Sequence, residues 1–529
     1  MDALKDFRNK DMIEQIMELD QVRESRDAAA IPALFDLYAN PVGDQAVDEM
    51  VYHALFELLA GQHDRIKEGL THPAPAVRLM CVRRATEEKA EPLKTPLVEL
   101  LTTTQEVGLL GEIVRALAQY QDPGLVASFV SCLKNDDYTV VAWALRGLAG
   151  INTPEVREVL VGMIDSSAEV QGTATGCDLR TAMAVESLAG LGDVAAVDYL
   201  INFIHHTDPS FRRVVLGAIG SMGEVALPAL ERVLDSGDRD EKIMAANTLG
   251  FTHHKKAADI LVAHLESARE PNLRFAVYEA LGRINSMRSV IGLADGLVEQ
   301  DELVMMAVVI ALDHLTNPGV VKVVTDALDK GDAQSELLAR TIATARAETL
   351  FAALYKAGKH NTKLIQAIQA SGDPELASVF RGVLEQIGSE AARADGAKLS
   401  GVSAAVVSEK RLLAADDSKA MLFFYKGVAA DLGMELVTAG DGKEAFDFLQ
   451  KDSRFDLIIT DMNMPNMDGI ELTRELRKRE DLLTVPILMA TTESEKGQSD
   501  LARQAGVTDF ITKPFSKEDF KAKVNAMFA

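Results

Sequence analysis

The sequence predicts two folds in one chain: an all-α array of stacked helical hairpins over residues 1–387, and an open parallel α/β domain over residues 409–529. Three observations carry this. A short apolar motif returns at a near-constant interval through the first part. The last quarter instead holds short apolar runs that each end in a polar residue suited to chemistry. Between the two, residues 388–408 are small, polar and aperiodic, as a flexible tether would be.

In the helical part, Trp143-Ala-Leu-Arg-Gly-Leu148, Gly217-Ala-Ile-Gly220, Ala246-Asn-Thr-Leu-Gly250 and Glu279-Ala-Leu-Gly282 are variants of one unit. Its apolar residue falls at Leu117, Leu148, Leu188, Ile219, Leu249, Leu281 and Leu312, at intervals of 31, 40, 31, 30, 32 and 31 residues. A second apolar helix lies between markers, as in Val225 to Leu234, followed by the polar turn Asp235-Ser-Gly-Asp238. A fixed period of this size marks a solenoid, in which each hairpin buries its face only against its neighbours. Small residues beside the repeated leucine let paired helices approach closely, and Gly and Asp in the turns stop them. The units resemble HEAT-like repeats of the shorter kind seen in bilin-lyase relatives. Fainter copies at Ala54 to Leu59 and Ile342 to Ala345 bring the array to roughly ten hairpins.

The long interval has its surplus in Ala168 to Cys177, rich in Gly and Thr. It is read as a loop on one face of the array. His205-His206 and His253-His254 are adjacent pairs, which point about 100° apart on a helix and do not converge on a metal. They are expected at the surface or in caps. Trp143 is expected in the core.

The α/β part follows in order. Arg411-Leu-Leu-Ala-Ala415 is a strand that delivers Asp416-Asp417. Leu457-Ile-Ile-Thr460 is a strand that delivers Asp461, with Pro465 and Gly469 turning the chain in Asp461-Met-Asn-Met-Pro-Asn-Met-Asp-Gly469. Pro486-Ile-Leu-Met-Ala490 delivers Thr491, and Asp509-Phe-Ile-Thr512 delivers Lys513-Pro514. In an open parallel sheet the carboxyl ends of the strands are where ligands bind, so these groups are expected to converge. The chemistry follows from their types. A carboxylate can attack a phosphoryl group; paired carboxylates suit a hard cation such as Mg²⁺; and a lysine ammonium can meet phosphoryl oxygens.

Four separated elements agreeing in type, order and spacing resemble the response-regulator receiver domain, and the Asn-Met-Pro-Asn-Met-Asp-Gly string resembles the single-domain chemotaxis regulators. The resemblance covers about residues 409–529. It implies a flavodoxin-like fold with strand order 2-1-3-4-5. It also implies Asp461 as phosphoacceptor, and Mg²⁺ held by Asp416, Asp417, Asp461 and the backbone carbonyl of Asn463. Lys513, Thr491 and Phe510 are then the groups that respond to phosphate, with an output face over 495–505, 509–512 and 517–528. Thr492 stands where a smaller residue is common, and Ala414-Ala415 where bulkier aliphatics are. Asn463 and Glu493 resemble the combination found in short-lived chemotaxis-type phosphoproteins, with Thr492 and Glu493 tuning the lifetime.

Bulk properties exclude other classes. A formal charge of −25 opposes nucleic-acid binding, which needs clustered Lys and Arg, and no helix-turn-helix follows the α/β domain. The amino-terminal Met1 to Lys10 is charged rather than apolar, unlike a signal peptide. The apolar run Leu303 to Leu312 stops at Asp313, far short of a bilayer. Three scattered cysteines fit a reducing cytoplasm.

The expected function is a cytoplasmic two-component response regulator. Its receiver takes phosphate from a histidine kinase and modulates protein binding by the array, without being an enzyme in the metabolic sense. Chemotaxis or motility components are partners that the resemblance suggests. The competing expectation is a constitutive scaffold carrying the receiver as a phosphate sink or localisation module.

Overall fold

The computed structural model describes residues 4–171, 176–400, 410–491, 496–513 and 515–528, with backbone only at 496–498. Compactness divides it within the helical part: one unit is Met1–Val170 with Leu179–Leu191, the other Gln171–Asp178 with Gly192–Ala529. Among the described residues, every element from Met12 to Leu399 is helical, and all strands lie between Arg411 and Thr512.

In the first unit the markers Leu117, Leu148 and Leu188 are buried, and Gly147 lies so near Phe129 that a Cβ would sit 2.6 Å from its ring. Trp143 is not fully in the core. It is half-buried, and the Arg146 guanidinium lies 4.8 Å over its ring, satisfying the indole's face at the surface.

In the second unit, successive marker helices are α1 (Pro209–Ser221), α2 (Arg239–Phe251), α3 (Pro271–Ile284) and α4 (Glu302–His314). Each carries its marker on the buried face: Ile219, Leu249, Leu281 and Leu312. Aspartates set three of the starts. Asp208, Asp238 and Asp301 sit at the N-caps and accept from backbone N–H groups of the first turn, each contributing about 1 kcal/mol. Small residues set the spacing. A Cβ on Gly250 would stand 2.9 Å from the Ala280 Cα, and one on Gly282 would stand 2.9 Å from the Ala311 Cβ.

The expected tether is partly helical, which corrects the reading of 388–408. After α5 (Pro374–Ile387), Gly388 turns the chain at φ 71° and Ser389 caps α6 (Glu390–Leu399), which packs on α5. Ala392, Gly396 and Leu399 are its buried residues. Their spacing of four and three is a helical stripe made of small side chains, so low bulk was mistaken for absence of structure. Residues 401–409 lie outside the described residues, as does 172–175 of the long-interval segment. At the end of that segment, Gly176 N donates to the Asp208 carboxylate at 2.8 Å.

The α/β part is a five-stranded parallel sheet in the order β2-β1-β3-β4-β5, with β1 Arg411–Ala415, β2 Glu435–Ala439, β3 Leu457–Asp461, β4 Ile487–Thr491 and β5 Asp509–Thr512. Its helices are α7 (Lys419–Asp431), α8 (Gly442–Lys451), α9 (Gly469–Leu476), α10 (Lys496–Ala505) and α11 (Lys517–Ala526). The central strands β3 and β4 are buried throughout, as strands covered on both faces must be. Register places Ala415 beside Thr460, Asp461 beside Ala490 and Thr491 beside Thr512, so the chemistry-bearing ends are level.

Candidate functional site: an acid cluster at the carboxyl edge of the sheet

Asp461 ends a strand whose every residue is buried, and the turn after it depends on glycine. A Cβ on Gly469 would meet the Asp461 carbonyl oxygen at 2.1 Å. Gly469 N instead donates to Met462 O at 3.1 Å, and Asn466 takes a left-handed φ of 59°. Asp468 then caps α9, accepting from Glu471 N at 2.8 Å.

Lys513 joins the pieces. Its Nζ donates to Asp461 Oδ1 at 2.6 Å and to Asp416 Oδ2 at 2.8 Å, linking the ends of β5, β3 and β1. Asp416 is fully buried; it also accepts from Ser418 N at 3.0 Å and from the Tyr425 hydroxyl at 3.2 Å. Asp461 Oδ2 accepts from Asn463 N at 2.9 Å. Thr491 is buried at the end of β4, and its carbonyl accepts from Lys513 N at 2.7 Å. Phe510 is partly buried on β5, with the Arg503 guanidinium 5.2 Å over its ring. Thr492, Glu493 and Pro514 lie outside the described residues.

The electrostatics are unbalanced: three carboxylates face one buried ammonium. Burial pushes the Asp416 carboxyl well above its usual range, with Asp461 and Asp417 adding to the rise and Lys513 opposing it. Burial likewise pushes Asp417 up to about 6, against the pull of Arg283. Burial alone would lower Lys513, but Asp416 and Asp461 hold it well above the ordinary lysine value, so it remains an ammonium.

This donor set fits a hard divalent cation. It is all oxygen, its negative charge is only partly compensated by Lys513 and Arg283, and Asp416, Asp417, Asp461 and the Asn463 carbonyl flank one edge. Among the described residues, no three His, Cys, Asp or Glu side chains already stand in cation-holding geometry. Lys513 lies between Asp416 and Asp461, and Arg283 lies 3.4 Å from Asp417 Oδ2, so a cation requires Asp417 to exchange partners.

A ring of array side chains, which sequence reasoning missed, surrounds this mouth. Ser210 donates to Asp468 Oδ2 at 2.6 Å, Arg212 to Asn463 Oδ1, and Asn272 to the Lys513 carbonyl at 2.6 Å. Ser418 donates to Glu279, Arg283 meets Asp417, and Lys426 on α7 pairs with Glu375 of α5 at 2.9 Å. α7 packs on α4. A faint signal existed: Ser210 and Asn272 each directly follow a helix-starting proline, Pro209 and Pro271, placing them on one edge of the array.

Comparison with known proteins agrees with this architecture. Residues 412–525 match the response regulator receiver domain, and residues 94–176, 177–243, 233–304 and 258–345 match HEAT repeats. Chemotaxis protein CheY-3 of Vibrio cholerae is 39% identical over 119 residues, covering 22% of this chain and 91% of that protein. Chemotaxis protein CheY of Pseudomonas aeruginosa is 38% identical over 119 residues, covering 22% and 95%. The solved structure of V. cholerae CheY4 is 35% identical, covers 23% of this chain and 99% of its own, and has a TM-score of 0.22. Through its last 120 or so residues, the chain belongs to the response regulator receiver family. In the helical part before them, the HEAT-repeat matches run from residue 94 to residue 345.

Proposed function

We propose that this protein is a cytoplasmic two-component response regulator, with Asp461 accepting a phosphoryl group from a histidine kinase and the receiver's state governing how the HEAT array meets its protein partners. The observation that carries the reading is Lys513 Nζ bridging Asp461 and Asp416 at the edge of a parallel sheet. A carboxylate oxygen of Asp461 attacks phosphorus, the bond from phosphorus to the histidine nitrogen breaks, and its electron pair stays with the imidazole. Lys513, charged throughout, exchanges its Asp461 contact for a phosphoryl oxygen. Asp416, Asp417, Asp461 and the Asn463 carbonyl would hold Mg²⁺, which supplies charge neutralisation at the phosphoryl oxygens when bound. Thr491 offers its hydroxyl to the group after it arrives, and Phe510 on the neighbouring strand answers that movement. The work is signalling, with no free metabolite turned over. Chemotaxis or motility components are the partner class that the named relatives suggest.

The test is incubation of the full chain with Mg²⁺ and acetyl phosphate, followed by a phosphate-affinity gel. A retarded species is expected for the wild type and not for Asp461→Asn. No retarded species, or equal retardation of both, overturns the proposal.

A further inference from the structure

The phosphoacceptor faces a partly open cavity of about 450 Å³ whose opposite wall is the HEAT array. Array side chains contact three of the loops at the mouth. Arg283 and Glu279 hold the β1 loop at Asp417 and Ser418; Arg212 and Ser210 hold the β3 loop at Asn463 and Asp468; Asn272 holds the β5 loop at the Lys513 carbonyl. Ser210, Arg212 and Asn272 are themselves buried. The packing of α7 on α4 and the Lys426–Glu375 pair extend the contact beyond the mouth. All these residues belong to one compact unit.

We infer that the docked array is a gate on the class of phosphodonor: small acyl phosphates reach Asp461 through the cavity, whereas a phosphohistidine carried on a protein reaches it only after array and receiver separate. This rests on Asp461 being the phosphoacceptor. The physical ground is size. A cavity of this volume is within the roughly 300–1,000 Å³ range of small-ligand sites. The Arg212, Arg213, Arg283 and Lys513 side chains on its wall suit a dianionic donor. A protein donor must instead bring a backbone to within one phosphohistidine side chain and an attack distance of about 3 Å from Asp461. A helix with side chains is about 10 Å across, and the space it would need is filled by α1 and α3. In the small-donor reaction, Asp461 forms the new bond to phosphorus, the acyl oxygen–phosphorus bond breaks, and the carboxylate leaves with the electron pair. No redox partner is needed.

The experiment measures initial rates of Asp461 phosphorylation in the full chain with two donors: acetyl phosphate, and a histidine phosphotransfer protein first phosphorylated with phosphoramidate. A released form carries Ser210→Ala, Asn272→Ala and Lys426→Glu. A locked form carries Glu375→Cys and Lys426→Cys in a Cys177→Ser background, bridged by a short bis-maleimide; the same protein without the bridge is its folding control. The released form is expected to accept phosphate from the protein donor at least tenfold faster than wild type, with acetyl phosphate rates within about threefold. The locked form is expected to lose the protein-donor reaction and keep the acetyl phosphate reaction. A ratio of the two rates that is the same in wild type, released and locked forms overturns the gate and leaves Asp461 as phosphoacceptor. No label from either donor in any form overturns the phosphoacceptor reading and the gate with it.

Discussion

Gly250→Ala, compared with Gly217→Ala, asks whether the marker glycines set the helix spacing of the array. The two changes add the same methyl to two helical positions. At Gly217 the new Cβ meets nothing within 4 Å, so only the backbone entropy of the unfolded chain and helix propensity respond. That gain is about 0.5–1 kcal/mol. At Gly250 the new Cβ lies 2.9 Å from the Ala280 Cα and 3.0 Å from its Cβ, and one of these is backbone that cannot rotate away. Ordinary carbon contacts are about 3.5–4.0 Å, so α2 and α3 must separate by roughly half an ångström or more. Overpacking of this kind costs about 1–3 kcal/mol, which exceeds the propensity gain. Gly250→Ala is therefore expected to destabilise by about 1–2 kcal/mol while Gly217→Ala stabilises. Urea denaturation followed by far-UV circular dichroism reads the signs. Hydrogen–deuterium exchange of peptides covering Arg239–Phe251 and Pro271–Ile284 places the effect. Equal stabilisation by both substitutions would refute the spacing argument.

Lys513→Met removes the ammonium that bridges Asp416 and Asp461; acetyl phosphate labelling should fall about 100-fold or more, as for loss of one preorganised charge-stabilising group. Its circular dichroism should be retained, because burial already inclines Asp416 to take up a proton. Asp417 supplies a pH test. Its folded value of about 6 lies above the unfolded value of about 3.9, so between them the folded state binds more protons and stability falls as pH rises. In denaturant titrations without added metal, wild type should lose up to about 3 kcal/mol relative to Asp417→Asn between pH 4 and 6; a flat difference would contradict it. Among the cysteines, burial pushes the Cys81 thiol up to about 12 and raises Cys132 as well. At pH 8 the Cys81 thiolate fraction is about 10⁻⁴, so a disulfide-exchange reagent should titrate one thiol in the native chain and three in denaturant. Two or three reactive thiols in the native chain would refute that burial.

The strands were legible because their apolar runs are short, buried on both faces and punctuated by the residues that matter. β1 and β5 fall on the residues expected, while β3 and β4 shift at their ends by a residue. The strand order implied a β2, but its residues were not located: it lies at the sheet edge, its residues are mostly half-exposed, and its sequence has no long apolar run. The array's marker period was legible because each marker is a leucine or isoleucine that must be buried. α6 was hidden because its buried stripe is Ala, Gly and one Leu. The ring of Ser210, Arg212, Asn272, Glu279 and Arg283 was hidden for another reason. Ser210 and Asp468 are 258 positions apart and Asn272 and Lys513 are 241 apart, and no local periodicity reports a pairing of that range. Polar residues in the first turn of a helix have a sufficient local explanation in capping, which masks a long-range one.

The central claim is a covalent one, and trapping tests it most directly. The full chain is exposed to acetyl phosphate and Mg²⁺, reduced with borohydride, digested and sequenced by mass spectrometry. Asp461 is expected to be the residue converted to homoserine, and the conversion is expected to disappear when Mg²⁺ is chelated. Conversion at another carboxylate, or none at Asp461 while the chain stays folded, would contradict the account.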